Sequence, residues 1–125
     1  MLKFIDCSIN IGGRDCLKGI NLTIGPSSLS VIQGESQSGK TLLLMLAAGI
    51  MQCTSGKITF NDTDLASLTE KNRQAHLKEI GMIESSPRVI KRLTVFENIA
   101  LPLVLHSKYD RYSRNKISEI MKKLF

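Results

Sequence analysis

The chain has 125 residues, 42% of them apolar and 22% charged, which is the size of one small domain with ordinary globular composition. That excludes disordered, collagen-like and low-complexity classes. No apolar run approaches the roughly 18 residues of a membrane-spanning helix; the longest, 42–51 and 99–105, are interrupted by Gly49 and Pro102. The N-terminus, Met1-Leu2-Lys3-Phe4, shows no signal-peptide pattern. Cys7, Cys16 and Cys53 lack metal-ligand spacing and read as buried thiols of a reducing cytoplasm. Seventeen basic and eleven acidic residues give a net charge of +6. All of the excess lies in residues 86–125, which hold Arg88, Lys91, Arg92, Lys108, Arg111, Arg114, Lys116, Lys122 and Lys123 against Glu97, Asp110 and Glu119. A solvated basic face accounts for this; proximity to anionic lipid headgroups or to an acidic partner are the other readings. Nucleic acid is disfavoured, because stacking aromatics are scarce in this region and no recognition motif is present.

In chain order, apolar runs at 2–5 and 17–24 predict strands, with Gly12-Gly13 at a hairpin turn between them. Pro26-Ser27-Ser28 is a second turn, and 29–33 a short apolar strand. A glycine- and serine-bearing loop, 34–40, precedes a buried helix over 41–50. Residues 57–60 alternate as a strand, 61–64 form a turn and 69–78 a polar helix. Residues 80–83 predict another short strand, followed by a loop from Glu84 to Arg92 that contains Pro87. Thr94 and Glu97 have capping-box spacing, which predicts a helix to about Leu101 with Pro102 disturbing its end. Ser113 is the expected cap of a last helix, whose Ile117, Ile120, Met121, Leu124 and Phe125 form one apolar stripe.

The segment Gly34-Glu35-Ser36-Gln37-Ser38-Gly39-Lys40-Thr41 matches G-x-x-x-x-G-K-[ST]. In this pattern the glycines let backbone N–H groups wrap a β-phosphate, the lysine reaches the β- and γ-phosphates, the threonine hydroxyl ligates Mg²⁺, and the next helix presents its positive N-terminus. The expected order, strand then loop then helix, is present. The site residues are therefore Gly34 through Leu42, with Thr41 as the metal ligand, and the cofactors are ATP and Mg²⁺.

With the loop placed, the chain resembles the N-terminal half of an ATP-binding cassette domain, nearest the subgroup of FtsE cell-division and lipoprotein-release ATPases. Cys16-Leu17-Lys18-Gly19-Ile20-Asn21-Leu22, Ser55-Gly56-Lys57-Ile58-Thr59-Phe60 with Asp64-Leu65, and Ile80-Gly81-Met82-Ile83 carry the likeness, and Leu93-Thr94-Val95-Phe96-Glu97-Asn98-Ile99-Ala100-Leu101-Pro102-Leu103 is the most specific match. The resemblance implies an α/β P-loop NTPase fold with N-terminal antiparallel strands and the phosphate-loop strand near the centre of a mixed sheet. Residues 1–125 would form a partial nucleotide-binding domain, truncated before the signature motif, Walker B aspartate, catalytic glutamate and switch histidine. It further implies an integral membrane permease-like (FtsX-like) partner docked on the surface between Ser85 and Leu103, a homodimer, and a cytoplasmic location on the inner face of the plasma membrane.

Departures from the family pattern bear on activity. Gln37 stands where the family has glycine, and Leu42 where it has a second hydroxyl that contacts the α-phosphate. Ser85 falls at the Q-loop glutamine, with Glu84 before it, and the adenine-stacking aromatic falls at Asn10 or Ile11. His76 and His106 read as surface or partly buried histidines, and no residue is assigned a catalytic role. The expected function is the ATP-binding subunit of a membrane complex in degenerate form; the alternative is a non-hydrolysing adaptor that keeps only the partner surface. A different P-loop class, such as a small kinase or GTPase, would need a Walker B strand of its own, and residues 59–62 are too short to serve.

Overall fold

The structure, a computed structural model, describes residues 1–83, 89–106 and 108–124. Met1–Met82 and Ile83–Phe125 are separate units and are taken in turn.

Strand β1 (Leu2–Ile11) and strand β2 (Arg14–Ile24) form an antiparallel hairpin. Gly12 and Gly13 turn it with φ of 59° and 83°, the left-handed pair that a two-residue turn needs to match strand twist. On its other edge β1 pairs antiparallel with β3 (Ser55–Phe60), placing Leu2 opposite Phe60. A turn at Asn61-Asp62 then leads to the short β4 (Thr63–Asp64), giving the order β2-β1-β3-β4. In β1 the buried residues are Phe4, Cys7 and Ile9. The odd spacing of Phe4 and Cys7 breaks strict alternation because the register shifts between them, with Asp6 at a positive φ of 47° in the irregularity.

Helix α1 (Lys40–Ala47) covers this sheet. Its Leu46 is fully buried in a cluster with Phe4, Cys7, Ile9, Ile58 and Leu65; a core leucine of this kind contributes on the order of 2–5 kcal/mol against truncation to alanine. The helix ends earlier than the predicted 50 because Ala48 caps it and Gly49 turns left-handed at φ 70°. After a single 3-10 turn, Leu65–Ser67, capped by the Asp64 carboxylate, helix α2 (Glu70–Leu77) starts on a Thr69 cap. His76 of α2 sets its ring edge-on to Phe60 at 5.1 Å, and its Nε2 is buried with no hydrogen-bond partner among the described residues.

Two predicted strands are not formed. Residues 29–33 and 80–83 run without ladder partners, and Leu29 and Ile83 are 93% and 97% exposed. A short apolar run takes strand geometry from the neighbour it bonds to, and among the described residues no strand flanks either run.

In the second unit, helix α3 (Val95–Leu105) begins on the predicted capping box: Thr94 Oγ1 accepts from the Glu97 N–H at 3.2 Å, and Glu97 Oε2 accepts from the Thr94 N–H at 2.8 Å. It continues past Pro102, contrary to expectation. The proline gives up the bond to the Asn98 carbonyl and crowds that carbonyl with its ring, yet the helix runs on, and the His106 N–H closes on the Pro102 carbonyl at 3.1 Å. Helix α4 (Arg111–Leu124) packs on α3 and buries Ile117. Its cap is Asp110, not Ser113. The Asp110 carboxylate accepts from the Ser113 N–H at 2.7 Å, while the Ser113 hydroxyl accepts from the Asp110 N–H at 2.8 Å. Phe125, expected on the apolar stripe, lies outside the described residues.

The thiols check this core. Burial, followed by the neighbouring Cys53, pushes the Cys7 thiol up to about 12. A group raised in the folded state favours folding below its ordinary value of 9.0 and loses that contribution as pH climbs toward 12. At pH about 8, a thiolate-directed alkylating reagent is expected to leave Cys7 unmodified in the native chain and to label it in denaturant. Native labelling of Cys7 at the rate of the half-buried Cys16, read by peptide mass, would contradict the packing.

Candidate phosphate-binding site

The chain leaves β2 at Ile24, passes the unpaired 29–33 run and turns through Gly34–Thr41 into α1. At the turn, Gly39 takes φ 89° and lies so close to β2 that a Cβ there would stand 2.8 Å from Leu17 Cδ2 and 3.2 Å from the Cys16 carbonyl. Only hydrogen fits. The spacing of the motif gave no hint that Leu17 and Cys16 form this floor. At the loop's entrance a Cβ on Gly34 would meet Ser38 Oγ at 2.7 Å, so the loop closes on itself there as well.

Lys40 curls back over the loop. Its ammonium donates to the carbonyls of Gly34, at 2.9 Å, and Glu35, and lies 3.4 Å from Ser38 Oγ. The Ser38 N–H donates to the Glu35 carbonyl at 3.3 Å, so Ser36 and Gln37 form a tight turn. The first helical bond of α1 runs from the Leu43 N–H to the Gly39 carbonyl at 2.9 Å. The N–H groups of Lys40, Thr41 and Leu42 precede it, and no side chain caps this end. Among the described residues these donors have no partner, and they stand at the positive end of the helix. One cation and an uncapped helix start therefore face the same short loop, and Thr41 beside them is exposed. That donor set fits a phosphate with an attendant cation on the threonine hydroxyl.

The departures acquire physical form. Gln37 holds a left-handed φ of 64°, which costs a non-glycine residue roughly 1–2 kcal/mol. Leu42 is half-buried and joins the sheet-facing cluster, so only its backbone serves an anion. Asn10 is occupied: its amide donates to Asp15 at 2.8 Å and its Oδ1 accepts from the Gly13 N–H at 2.9 Å. Ile11 is exposed and aliphatic. Neither offers a ring to a purine. Glu84, Ser85 and Arg88 lie outside the described residues. His106 ends α3 on the surface, and His76 stays on Phe60.

A second feature belongs to the other unit. Val89, Ile90, Leu93, Val95 and Ile99 line a groove of about 410 Å³, with Lys91 at its side. Asn98 holds its wall. Its side-chain amide donates to the carbonyls of Ile90, Leu93 and Thr94 at 3.0–3.1 Å, and its Oδ1 accepts from the Ile90 N–H at 2.8 Å. Sequence reasoning placed a partner surface here but did not single out Asn98; its place directly after the capping glutamate was the available signal.

Comparison with known proteins agrees with this geometry. Residues 17–125 match the ABC transporter family. The chain is 33% identical over 130 residues to the ABC transporter ATP-binding protein YtrE of Bacillus subtilis, covering 98% of this chain and 56% of that protein. It is 32% identical over 116 residues to the cell division ATP-binding protein FtsE of Escherichia coli, covering 91% and 51%. Among solved structures, a dimeric ATP-binding cassette, MJ0796, in a post-hydrolysis state bound to ADP and Pi, aligns with a TM-score of 0.82 at 26% identity, over 98% of this chain and 56% of that one. The chain thus spans about half the length of the curated relatives it matches. Its sheet-and-helix arrangement is that of the cassette ATPases, and with a family match that runs from Leu17 onward, this chain belongs to the ABC transporter family and is of the FtsE-like kind.

Proposed function

We infer that the chain is the phosphate-binding part of an FtsE-like ATP-binding subunit, in a degenerate form that holds Mg-ATP weakly and does not turn it over alone. The observation that carries this reading is the Lys40 ammonium drawn over the Gly34–Thr41 loop beside the helix-start amides of Lys40, Thr41 and Leu42. An arriving phosphate replaces the Gly34 and Glu35 carbonyls as the partner of that ammonium. Bound Mg²⁺ would supply charge neutralisation, held by Thr41. Weakness follows from Gln37, from Leu42 without a hydroxyl, and from Asn10 and Ile11 in place of a stacking ring. Among the described residues no carboxylate or amide is assigned to orient an attacking water, and in this reading the cradle binds without cleaving on its own. In this reading residues 1–125 form a partial nucleotide-binding domain, and Gly34 through Leu42 are its site.

The groove supports the second half of the proposal. A permease-like membrane subunit, FtsX-like in kind, docks between Ser85 and Leu103, which brings the chain to the inner face of the plasma membrane from the cytoplasm, and two copies pair as in the dimeric cassettes. No helix among the described residues is long and apolar enough to cross a membrane. An apolar trough with Lys91 at its side, and Arg92 next in sequence, suits a short helix with an acidic rim. The other reading, an adaptor that docks without nucleotide, is favoured by the occupied Asn10 and the strained Gln37.

Titration with Mg-ATP, followed calorimetrically, is expected to give a dissociation constant weaker than micromolar, and Lys40→Ala to weaken it at least about tenfold. Unchanged affinity in that variant would remove the site; no binding by the wild type would leave the adaptor. Phosphate release by the purified chain is expected at background, and release abolished by Lys40→Ala would contradict the assignment of binding without cleavage. Lys91→Glu with Arg92→Glu is expected to cut recovery on permease-containing membranes several-fold with little change in melting temperature, because both side chains are exposed. Asn98→Ala should weaken the same recovery through the groove wall and lower the stability of the helical unit by about 1–3 kcal/mol. Recovery indifferent to both variants would discard the groove as the docking surface.

A further inference from the structure

Helix α4 is strongly two-sided, and one side of it is unused. Ile117 is buried and Met121 half-buried. On the neighbouring edge, Tyr112, Lys116, Ile120 and Leu124 follow at spacings of four, with Lys123 three residues after Ile120. Tyr112 is 75% exposed, Ile120 44% and Leu124 70%. Lys116 and Lys123 reach one carboxylate, Glu119, at 3.6 Å and 2.9 Å, and these two cations pull the Glu119 pKa below the ordinary carboxylate value, Lys123 more strongly. Arg111, Arg114 and Lys122 add positive charge around the same helix.

We propose that this edge of α4 rests on an anionic phospholipid surface, with Ile120 and Leu124 at the headgroup–acyl boundary and Lys116 and Lys123 on lipid phosphates. Each component has a physical reason. Two exposed aliphatic side chains on a convex helix edge gain by leaving water for any flat apolar boundary, whereas a protein partner would need a matching trough. The lysines lie beside them, where their methylene stems can rest on the same boundary while the ammonium groups stay at phosphate depth. Tyr112, with an apolar ring and a polar hydroxyl, fits the headgroup layer one turn away. The basic excess of residues 86–125 is complementary to an anionic leaflet. Nucleic acid fits less well, since among the described residues Tyr112 is the single aromatic ring on this edge and successive bases stack on several. The surface is separate from the groove lined by Val89 and Ile99, so it would act in addition to permease docking and needs no nucleotide.

The experiment is flotation of the chain with vesicles of phosphatidylcholine containing about 30% phosphatidylglycerol, against phosphatidylcholine alone, from about 0.05 M to 0.5 M salt. Binding is expected only to the anionic vesicles, with release by salt. Lys116→Gln with Lys123→Gln should weaken it by roughly 30-fold, about fivefold for each cation near the surface. Ile120→Ser with Leu124→Ser should weaken it by a similar factor, with circular dichroism unchanged because both side chains are exposed; Leu124→Ser alone serves if the double variant loses helix. Glu119→Gln should strengthen binding several-fold by releasing both lysines to the phosphates, an effect that a purely structural helix would not show. The proposal is overturned by no binding at low salt, or by binding indifferent to the lysine pair. It is equally overturned if the lysines matter, the Ile120/Leu124 pair does not, and soluble polyglutamate or an oligonucleotide competes as well as the vesicles do. The edge would then be a contact for an acidic macromolecule. Because these vesicles contain no protein, the outcome is independent of the permease.

Discussion

The approach of Gly39 to β2 fixes where everything near the site can go. At Gly39 the loop lies against the strand, close to Leu17 and the Cys16 carbonyl, and a left-handed φ of 89° sets the direction in which the chain leaves. From that point α1 starts, its axis committed before any of its side chains is packed. Leu46 then reaches the cluster of Phe4, Ile58 and Leu65, and the apolar surface removed from water stabilises the direction already chosen. Lys40, the first residue past the contact, is left on the side facing Gly34, where its ammonium finds carbonyls instead of solvent alone. Geometry at one glycine, burial at one leucine and charge at one lysine act in series, and the anion-binding character of the loop is their product.

What was legible in the sequence was local chemistry. The phosphate loop, the hairpin at Gly12-Gly13 and the Thr94–Glu97 box are patterns in which the interacting groups lie within a few residues, so spacing alone specifies them. The family likeness was legible for the same reason, as a series of short segments. What failed was non-local. Residues 29–33 and 80–83 have strand composition, but a strand is a relation between two segments and the described chain gives neither a partner. The bulge at Asp6 escaped notice because nothing in Ile5-Asp6-Cys7 announces a break in alternation; the register with β3 imposes it. Pro102 misled in the other direction: its cost of about 3 kcal/mol is offset in a helix anchored by a box at its start and by Ala100 in its core.

Asn98 shows how a residue can be invisible to pattern and central to form. Nothing in its type marks it as more than an exposed polar residue on an apolar helix. In the structure it ties Ile90, Leu93 and Thr94 to α3 with hydrogen bonds to backbone alone. The groove wall beside it therefore takes its shape from main-chain groups, and the apolar residues that line it are free to vary in identity while the wall stays in place. Specificity of the groove would then be carried by side chains and its existence by one amide.

The position of β1 between β2 and β3 bears on how the chain is made. β2 follows β1 directly, so that hairpin can close while the rest is still unsynthesised. β3 cannot pair until everything from Ile24 to Ser55, including the phosphate loop and α1, has been produced, which at roughly 5–20 residues per second takes a few seconds. Through that interval the far edge of β1 is open and Leu46 has only half of its eventual surroundings. The nucleotide loop is thus born before the sheet that braces it. A nascent chain in this window presents an unpaired strand edge next to an amphipathic helix, the combination on which holding chaperones and mispairing chains compete, and the rate at which β3 arrives decides between them.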